Sequence, residues 1–296
     1  MRKFLFLSSF WLKIIALFTM TVDHIGYVLQ AVYFDNYDIL ALANVFRVIG
    51  RFALPLFIFM IVEGVIHTKS ISKYFLRLGV MAALISITLA ILQYVPLGYD
   101  TSMIKGAGNI FLDLLLTAVA IYALNHKNNW MKLLILLPII ISVSSFIAKG
   151  YEFANAVDVL WYPEFLYLQY DWFSILLGVA FYYAGKLGKA YISMYAKKIN
   201  VDQIVFDENG YTQLAKNILY VVALALASFI FYLPHYFWIE GVYWDAMTQL
   251  SAIFAGAFIL FYNGKRGYNA KWFQYGSYIY YPLSMLVMLV LYIILT

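Results

Sequence analysis

Apolar residues run unbroken for roughly twenty positions at a time along most of this chain, the length a helix needs to cross about 30 Å of hydrocarbon. Nine such runs can be marked, at 10–29, 40–66, 73–94, 109–124, 131–148, 172–189, 214–233, 246–262 and 274–294. They are continuous, not alternating over about ten residues, so the backbone is satisfied inside helices and not in a barrel. The pattern predicts an all-α integral membrane protein of about nine transmembrane helices, forming a single transmembrane domain over 1–296. The longest polar stretch, "MYAKKINVDQIVFDENGYTQ" at 194–213, is expected to be a linker within that domain, with a short interfacial piece. No internal repeat suggests a transporter built from duplicated halves.

Composition agrees with the pattern. The chain is 65% hydrophobic and 12% charged, where soluble domains hold about 45–50% and about 25%. It has no cysteine, which excludes disulfides, thiolate metal sites and a cysteine nucleophile. The opening "MRKFLFLSSFWLKIIALF" is basic and then apolar, like a signal peptide. It has no small-x-small cleavage site and its apolar run continues to spanning length, so it reads as a retained first helix.

A net charge of +5 would invite nucleic acid, but its distribution gives it another use. The amino-terminal end and the segments near 67–77, 126–132, 186–216 and 265–271 hold 16 Lys and Arg. The alternate set, near 30–39, 95–108, 149–171 and 234–245, holds two, Lys105 and Lys149, with nine of the fifteen acids. This predicts a cytoplasmic amino terminus and an external carboxyl terminus, and leaves no role for nucleic acid. The aromatic, acidic segment 151–172 then lies on the outer surface or dips into it, as an interface anchor or a surface for an acceptor.

The informative residues are charges inside apolar runs. In "TMTVDHIGYVLQ", Asp23 and His24 stand side by side; Arg47, Arg51 and Asp113 lie in other runs, and Glu63 at the inner end of the second. Each such charge costs a few kcal/mol at the bilayer centre, so it faces a partner or water. At about 1.5 Å per residue, His24 is about 20 Å from an anchor at Trp11, and Arg47 and Arg51 lie about 10 and 17 Å from the opposite start of run two. The two sets therefore meet at similar depth. Arg47 and Arg51, four apart, share a face. Asp23 and His24 project about 100° apart, so Asp23 can pair with an arginine while His24 points into a cavity. Pro55 cannot bond the carbonyl of Arg51, so run two should bend there. Asn109 and Asp113 are again four apart near the outer level. A buried ion network that only locks helices together is the alternative to a functional set. One imidazole at that level makes a poor zinc site, and no metal is expected.

A second group is basic and lies at the inner ends. "EGVIHTKSISKYFLR" places Glu63 and His67 on one helix face, followed by Thr68, Lys69, Lys73 and Arg77. "YNGKRG" sets Asn263, Lys265 and Arg266 between two glycines. Such loops set topology and touch anionic lipid, but backbone amides beside cations also suit phosphate.

The stretches "LKIIALFTMTVDHIGYVL", "FRVIGRFALPLFIFMIVEGVIHTKSISKYFLRL" and "FYNGKRG…KWFQYGSYIYYP" resemble the TraX family, named for the F-pilin acetylase. The resemblance is dense over 12–80, with D-H-x-G, R-x-x-G-R-x-x-x-P-x-F and E-G-x-x-H-T in order, and returns over 261–282. It implies acetyl transfer from cytoplasmic acetyl-CoA to an acceptor at the outer face, a protein amino terminus or a glycan. His24 would be the catalytic base, Asp23, Arg47 and Arg51 its support, and His67, Thr68, Lys69, Lys73, Asn263, Lys265 and Arg266 contacts of acetyl-CoA. Glu63, Asn109 and Asp113 would support the substrate side. Where the family usually has a histidine after its carboxyl-terminal "YP", this chain has Ser284, so a mechanism needing a second histidine there is not expected.

The chemistry is consistent. Acyl transfer to an amine or hydroxyl needs a base, and histidine suits neutral pH. A fixed guanidinium can stabilise the oxyanion of the tetrahedral intermediate. With an activated thioester and no cysteine, direct transfer is favoured over an acyl-histidine. The rival class is a proton-coupled transporter using Asp23, His24 and Asp113 as relay; a third is a structural partner in a secretion or conjugation complex.

Overall fold

In the computed structural model the described residues are 3–95, 108–155, 157, 159, 161–238 and 248–295. Expectations that fall on 96–107 and 239–247, including the position of Lys105, lie outside them. The described chain is helical: α1 (Ser9–Val32), α2 (Tyr37–Gly50), α3 (Ala53–His67), α4 (Ile71–Tyr94), α5 (Ile110–Asn125), α6 (Leu136–Asn155), α7 (Asp171–Lys198), α8 (Gln203–Glu208), α9 (Tyr211–Trp238), α10 (Gly256–Leu260) and α11 (Lys271–Leu295). Tighter 3₁₀ turns precede α6 (Asn129–Ile135) and α10 (Ser251–Ala255). The 194–213 segment is the end of α7, the short α8 and the start of α9.

Among the described residues, six helical stretches are long and apolar enough to cross a membrane: Ser9–Val32, Tyr37–His67, Ile71–Tyr94, Asn129–Glu152, Tyr211–Leu233 and Lys271–Leu295. The protein is thus a multi-pass membrane protein by the length and composition of its helices. Of the nine runs read from the sequence, three fall short of that standard among the described residues. Helix α5 has 16 residues, about 24 Å at 1.5 Å each. It is apolar all round and ten of its residues are buried, the mark of a helix enclosed by protein. The run at 246–262 is described only from Thr248, and its apolar helix ends at Leu260. Helix α7 is long but carries Lys186 and Lys189 within its run.

The chain divides into two compact units, Met1–Met60 with Ala180–Ser284 and Ile61–Val179 with Met285–Thr296. In the first, α1 and α2 lie side by side because Gly26 permits close approach. A Cβ there would sit 2.9 Å from the Ala43 carbonyl oxygen and 2.9 Å from the Phe46 Cβ. One turn on, Gln30 Nε2 donates to Asn44 Oδ1 at 2.6 Å. Away from the pair, Phe59 is met edge-on by Phe181, Tyr220 and Tyr262 at 5.7, 5.1 and 5.1 Å between ring centroids, a favoured geometry for buried rings. The stretch Tyr37–His67 is interrupted at Arg51 and Phe52, where Phe52 N turns back to the Ile49 carbonyl at 3.2 Å. This is the bend that Pro55, in the first turn of α3, makes necessary.

In the second unit, the acidic aromatic segment before α7 dips into the protein: Tyr167 and Leu168 are buried. Leu168 packs with Leu116, Ala120 and Ile175, and Tyr167 with Ala148 and Val159. Tyr162 stacks on Tyr167 with ring centroids 5.6 Å apart.

Candidate functional site

Asp23 on α1 faces α2, and its carboxylate is held by both arginines. Arg47 Nη1 lies 2.9 Å from Oδ2 and Arg51 Nη2 lies 3.3 Å from Oδ1. The i,i+4 spacing on α2 delivers one guanidinium to each oxygen, with Arg51 almost wholly buried. Gly50 makes this possible: an added Cβ would stand 2.1 Å from the Asp23 Cβ and 2.3 Å from Oδ1. The Arg47 guanidinium also lies over the Tyr27 ring at 5.1 Å. A carboxylate gripped this way fixes both cations in space, since moving either one breaks an ion pair sheltered from water.

His24 points elsewhere, as its 100° offset requires. Its ring meets the edge of Tyr281 on α11 at 6.0 Å. Its Nδ1 is buried and has no hydrogen-bond partner among the described residues. One turn earlier, the Thr21 hydroxyl is hydrogen-bonded to that of Tyr280 and donates to the Leu17 carbonyl at 2.9 Å. Four of the predicted site residues, Asp23, His24, Arg47 and Arg51, thus lie within one unit.

The "YNGKRG" loop belongs to the same unit, and both its carbonyls and its amides are engaged. Lys265 O accepts from Ser9 N at 2.9 Å and Arg266 O from Phe10 N at 3.1 Å, so the loop caps the start of α1, where Ser8 forms no side-chain cap. Three loop amides are already taken: Tyr262 N donates to Ile259 O at 3.0 Å, Asn263 N to Leu7 O at 2.8 Å and Lys265 N to Asn263 Oδ1 at 2.9 Å. Gly264 and Gly267, with φ of 70° and 72°, make the turns. An anion here would meet the exposed side chains of Lys265 and Arg266 first.

In the other unit, His67 Nδ1 lies 2.9 Å from the Glu63 carbonyl oxygen and 3.8 Å from Glu63 Oε2, so the two do share a face. Glu63 is buried while His67, Lys69 and Lys73 are exposed. Thr68 Oγ1 accepts from Ser70 N at 3.4 Å, at the turn before α4.

Asn109 and Asp113 are wholly buried and wholly engaged. Asn109 caps α5 by accepting from Leu112 N at 3.1 Å, and its Nδ2 donates to Ala82 O and Ser86 Oγ at 2.7 and 2.9 Å. Asp113 Oδ2 accepts from Gln169 N and Tyr170 N at 2.7 and 3.3 Å, and Oδ1 from Ser174 Oγ at 2.9 Å. Next to it, Asp171 Oδ2 pairs with Lys149 Nζ at 2.6 Å and Oδ1 accepts from Ser145 Oγ at 2.9 Å. Ser145 Oγ also accepts from Leu168 N at 3.0 Å, and Lys149 Nζ donates to Leu168 O at 2.8 Å. These groups bolt the 167–171 backbone into place. Sequence reasoning found Asn109 and Asp113 but missed Asp171, Lys149, Ser145 and Ser174. Lys149 was visible as one of two cations in an otherwise acidic set of segments.

Outside the buried bundle, desolvation pushes the Tyr162 hydroxyl up to about 12, with Asp171 and then Asp113 adding to the rise. It therefore remains a donor, reaching Leu166 O at 3.2 Å. No group of three His, Cys, Asp or Glu residues that could hold a metal occurs among the described residues.

These features define a multi-pass helical membrane protein with an Asp–Arg–Arg ion set and a neighbouring histidine in its amino-terminal helices. The chain matches the TraX protein family over residues 8–292. It belongs to that family, which is associated in general with pilin acetylation. It is also similar to the "Probable fimbrial assembly protein FimC, serogroup H1" of Dichelobacter nodosus, at 37% identity over 78 residues, covering 25% of this chain and 30% of that protein. The match thus spans less than a third of that relative's length. No solved structure matches the chain.

Proposed function

We propose that the protein is a membrane-embedded acetyltransferase, moving an acetyl group from cytoplasmic acetyl-CoA to an amine or hydroxyl acceptor at the outer face. The acceptor class is a protein amino terminus, as in a pilin, or a surface glycan; the fimbrial name of the relative favours the first. In this reading the amino terminus is cytoplasmic and the carboxyl terminus external, with the three runs that fall short of a full span also entering the membrane to make about nine helices there. The observation that carries it is the fixed Asp23–Arg47–Arg51 set beside a histidine whose buried Nδ1 is not engaged.

The acceptor nitrogen or oxygen attacks the thioester carbonyl carbon while His24 takes its proton. Negative charge grows on the carbonyl oxygen, and Arg47 or Arg51 stabilises it at no cost in reorganisation because Asp23 already holds both. Collapse breaks the carbon–sulfur bond, and the thiolate of CoA leaves with the proton held on His24. Asp23 orients and does not react. In the first unit Lys265, Arg266 and Asn263 are read as contacts of the acetyl-CoA phosphates; in the second, taken by itself, His67, Thr68, Lys69 and Lys73 are the candidate phosphate contacts, with Glu63 orienting His67. Asn109 and Asp113 hold the segment that faces the acceptor.

The test uses protein purified into lipid nanodiscs. Acetyl-CoA should be hydrolysed or its acetyl transferred, and CoA should raise the melting temperature, as a ligand binding only the folded state must. His24→Gln should lower turnover by about 10²–10⁴-fold and keep the melting shift. Turnover unchanged in that variant removes His24 as base. No response to CoA at all would favour the transporter class instead.

A further inference from the structure

The loop that carries Lys265 and Arg266 is held from two sides, and one of those sides depends on a residue outside every motif named above. Asn217, on α9, is wholly buried. Its Nδ2 donates to Leu260 O at 3.0 Å and to Tyr262 O at 2.7 Å. Its Oδ1 accepts from Gln213 Nε2 at 2.8 Å, one turn earlier on the same helix. Gln213 in turn lies against Gly264, where a Cβ would stand 2.7 Å from Oε1.

Five carbonyls over 260–266 are held by side chains or backbone outside the loop. Leu260 O and Tyr262 O go to Asn217, Phe261 O accepts from Leu7 N at 3.0 Å, and Lys265 O and Arg266 O take Ser9 N and Phe10 N. Carbonyls at the end of a helix such as α10 have no partner within it, and a buried one left unpaired is destabilising. One side chain closes two of them, so few others could replace it. The result is a turn whose backbone is set before any ligand arrives, with two exposed cations at its crest.

We propose that Asn217 is a positioning residue: it presets the 263–267 turn so that Lys265 and Arg266 meet the phosphates of a CoA-type thioester donor together. This rests on the acetyltransferase reading. Preorganisation raises affinity by removing ordering costs at the moment of binding. Loosening the turn should therefore weaken donor binding and spare the chemical step at His24.

The experiment measures acetyl-CoA KM, kcat and CoA dissociation constants for the full chain in nanodiscs, comparing wild type, Asn217→Asp, Lys265→Ala/Arg266→Ala and the triple variant. Asp keeps the shape of Asn but cannot donate to either carbonyl. Asn217→Asp is expected to raise KM and Kd about tenfold, a change of about 1.4 kcal/mol, with kcat at saturation within about twofold. In the Lys265→Ala/Arg266→Ala background the same change should add almost nothing, the signature of coupled residues. A kcat loss at unchanged KM would make Asn217 merely structural and overturn the proposal. So would an undiminished effect in the double-alanine background. Gly264→Ala, which strains the 70° φ of the same turn, serves if Asn217→Asp does not fold, and the same KM rise is expected. If wild type binds no CoA, the acetyltransferase reading falls and this proposal with it; if wild type binds and both turn variants match it, only this proposal falls.

Discussion

Replacing Gly50 with alanine adds a single methyl group at the most crowded point of the α1–α2 contact. The new Cβ would lie 2.1 Å from the Asp23 Cβ, 2.3 Å from Oδ1 and 2.5 Å from Cγ. Real Cβ contacts are far longer, and the Asp23 Cβ is fixed by the helix backbone, so a rotamer change alone cannot make room. Either α1 moves away from α2 or Asp23 swings off a guanidinium, the 3.3 Å pair with Arg51 being the weaker hold. Overpacking of this kind costs about 1–3 kcal/mol, against a gain of about 1 kcal/mol from replacing a helical glycine with alanine. If the Arg51 pair is lost the cost rises toward about 3–5 kcal/mol, because a buried cation is left behind. Gly79 on α4 is the control, since a Cβ there meets nothing within 4 Å. Thermal unfolding in detergent, followed by loss of monodisperse protein, should fall clearly for Gly50→Ala and hold or rise for Gly79→Ala. Acetyl transfer should fall with the first and stay with the second. Equal melting and equal activity for the two variants would refute the close packing of Asp23 against α2.

Two further outcomes test the other unit. Asp113→Ala removes the acceptor for three donors, Gln169 N, Tyr170 N and Ser174 Oγ, and should cost about 3 kcal/mol at about 1 kcal/mol per bond; limited proteolysis should then cut near 167–171, and transfer to the acceptor should weaken while acetyl-CoA hydrolysis per folded molecule stays near wild type. For Tyr162, a folded-state value raised from 10 to about 12 means a contribution to stability that is fully present below pH 10 and is lost as pH rises through about 12. Tyr162→Phe should flatten that alkaline limb in a pH series of melting temperatures, and an unchanged limb would place the titration elsewhere.

The all-helical membrane class was legible along the chain because it depends on local properties: continuous apolar runs, few charges and no cysteine. So was the bend before Pro55, since a missing N–H acts on the turn that contains it. The meeting of Asp23 with Arg47 and Arg51 could be anticipated from depth and from i,i+4 spacing, though one arginine was expected and two were found. His24 was visible beside Asp23 from the same pattern, and the family resemblance added only its role as base. What spacing alone could not convey was that six helices, not nine, meet the length and hydropathy needed to cross a membrane among the described residues. Helix α5 is as apolar as a span, but its 16 residues are short of spanning length and most of them are buried inside the second unit.

The sequence by itself determined which segments are helices, that they enter a membrane and which charges needed partners, because each follows from the cost of placing backbone or charge in hydrocarbon. Only the tertiary structure decided what those partners are. Asp113 accepts from the backbone at 169–170, Lys149 joins Asp171 across 22 residues, and Asn217 binds carbonyls more than 40 residues away. Hydrogen bonds and ion pairs of that range are fixed by how helices pack, and packing depends on side-chain shapes summed over many elements, which no local spacing encodes.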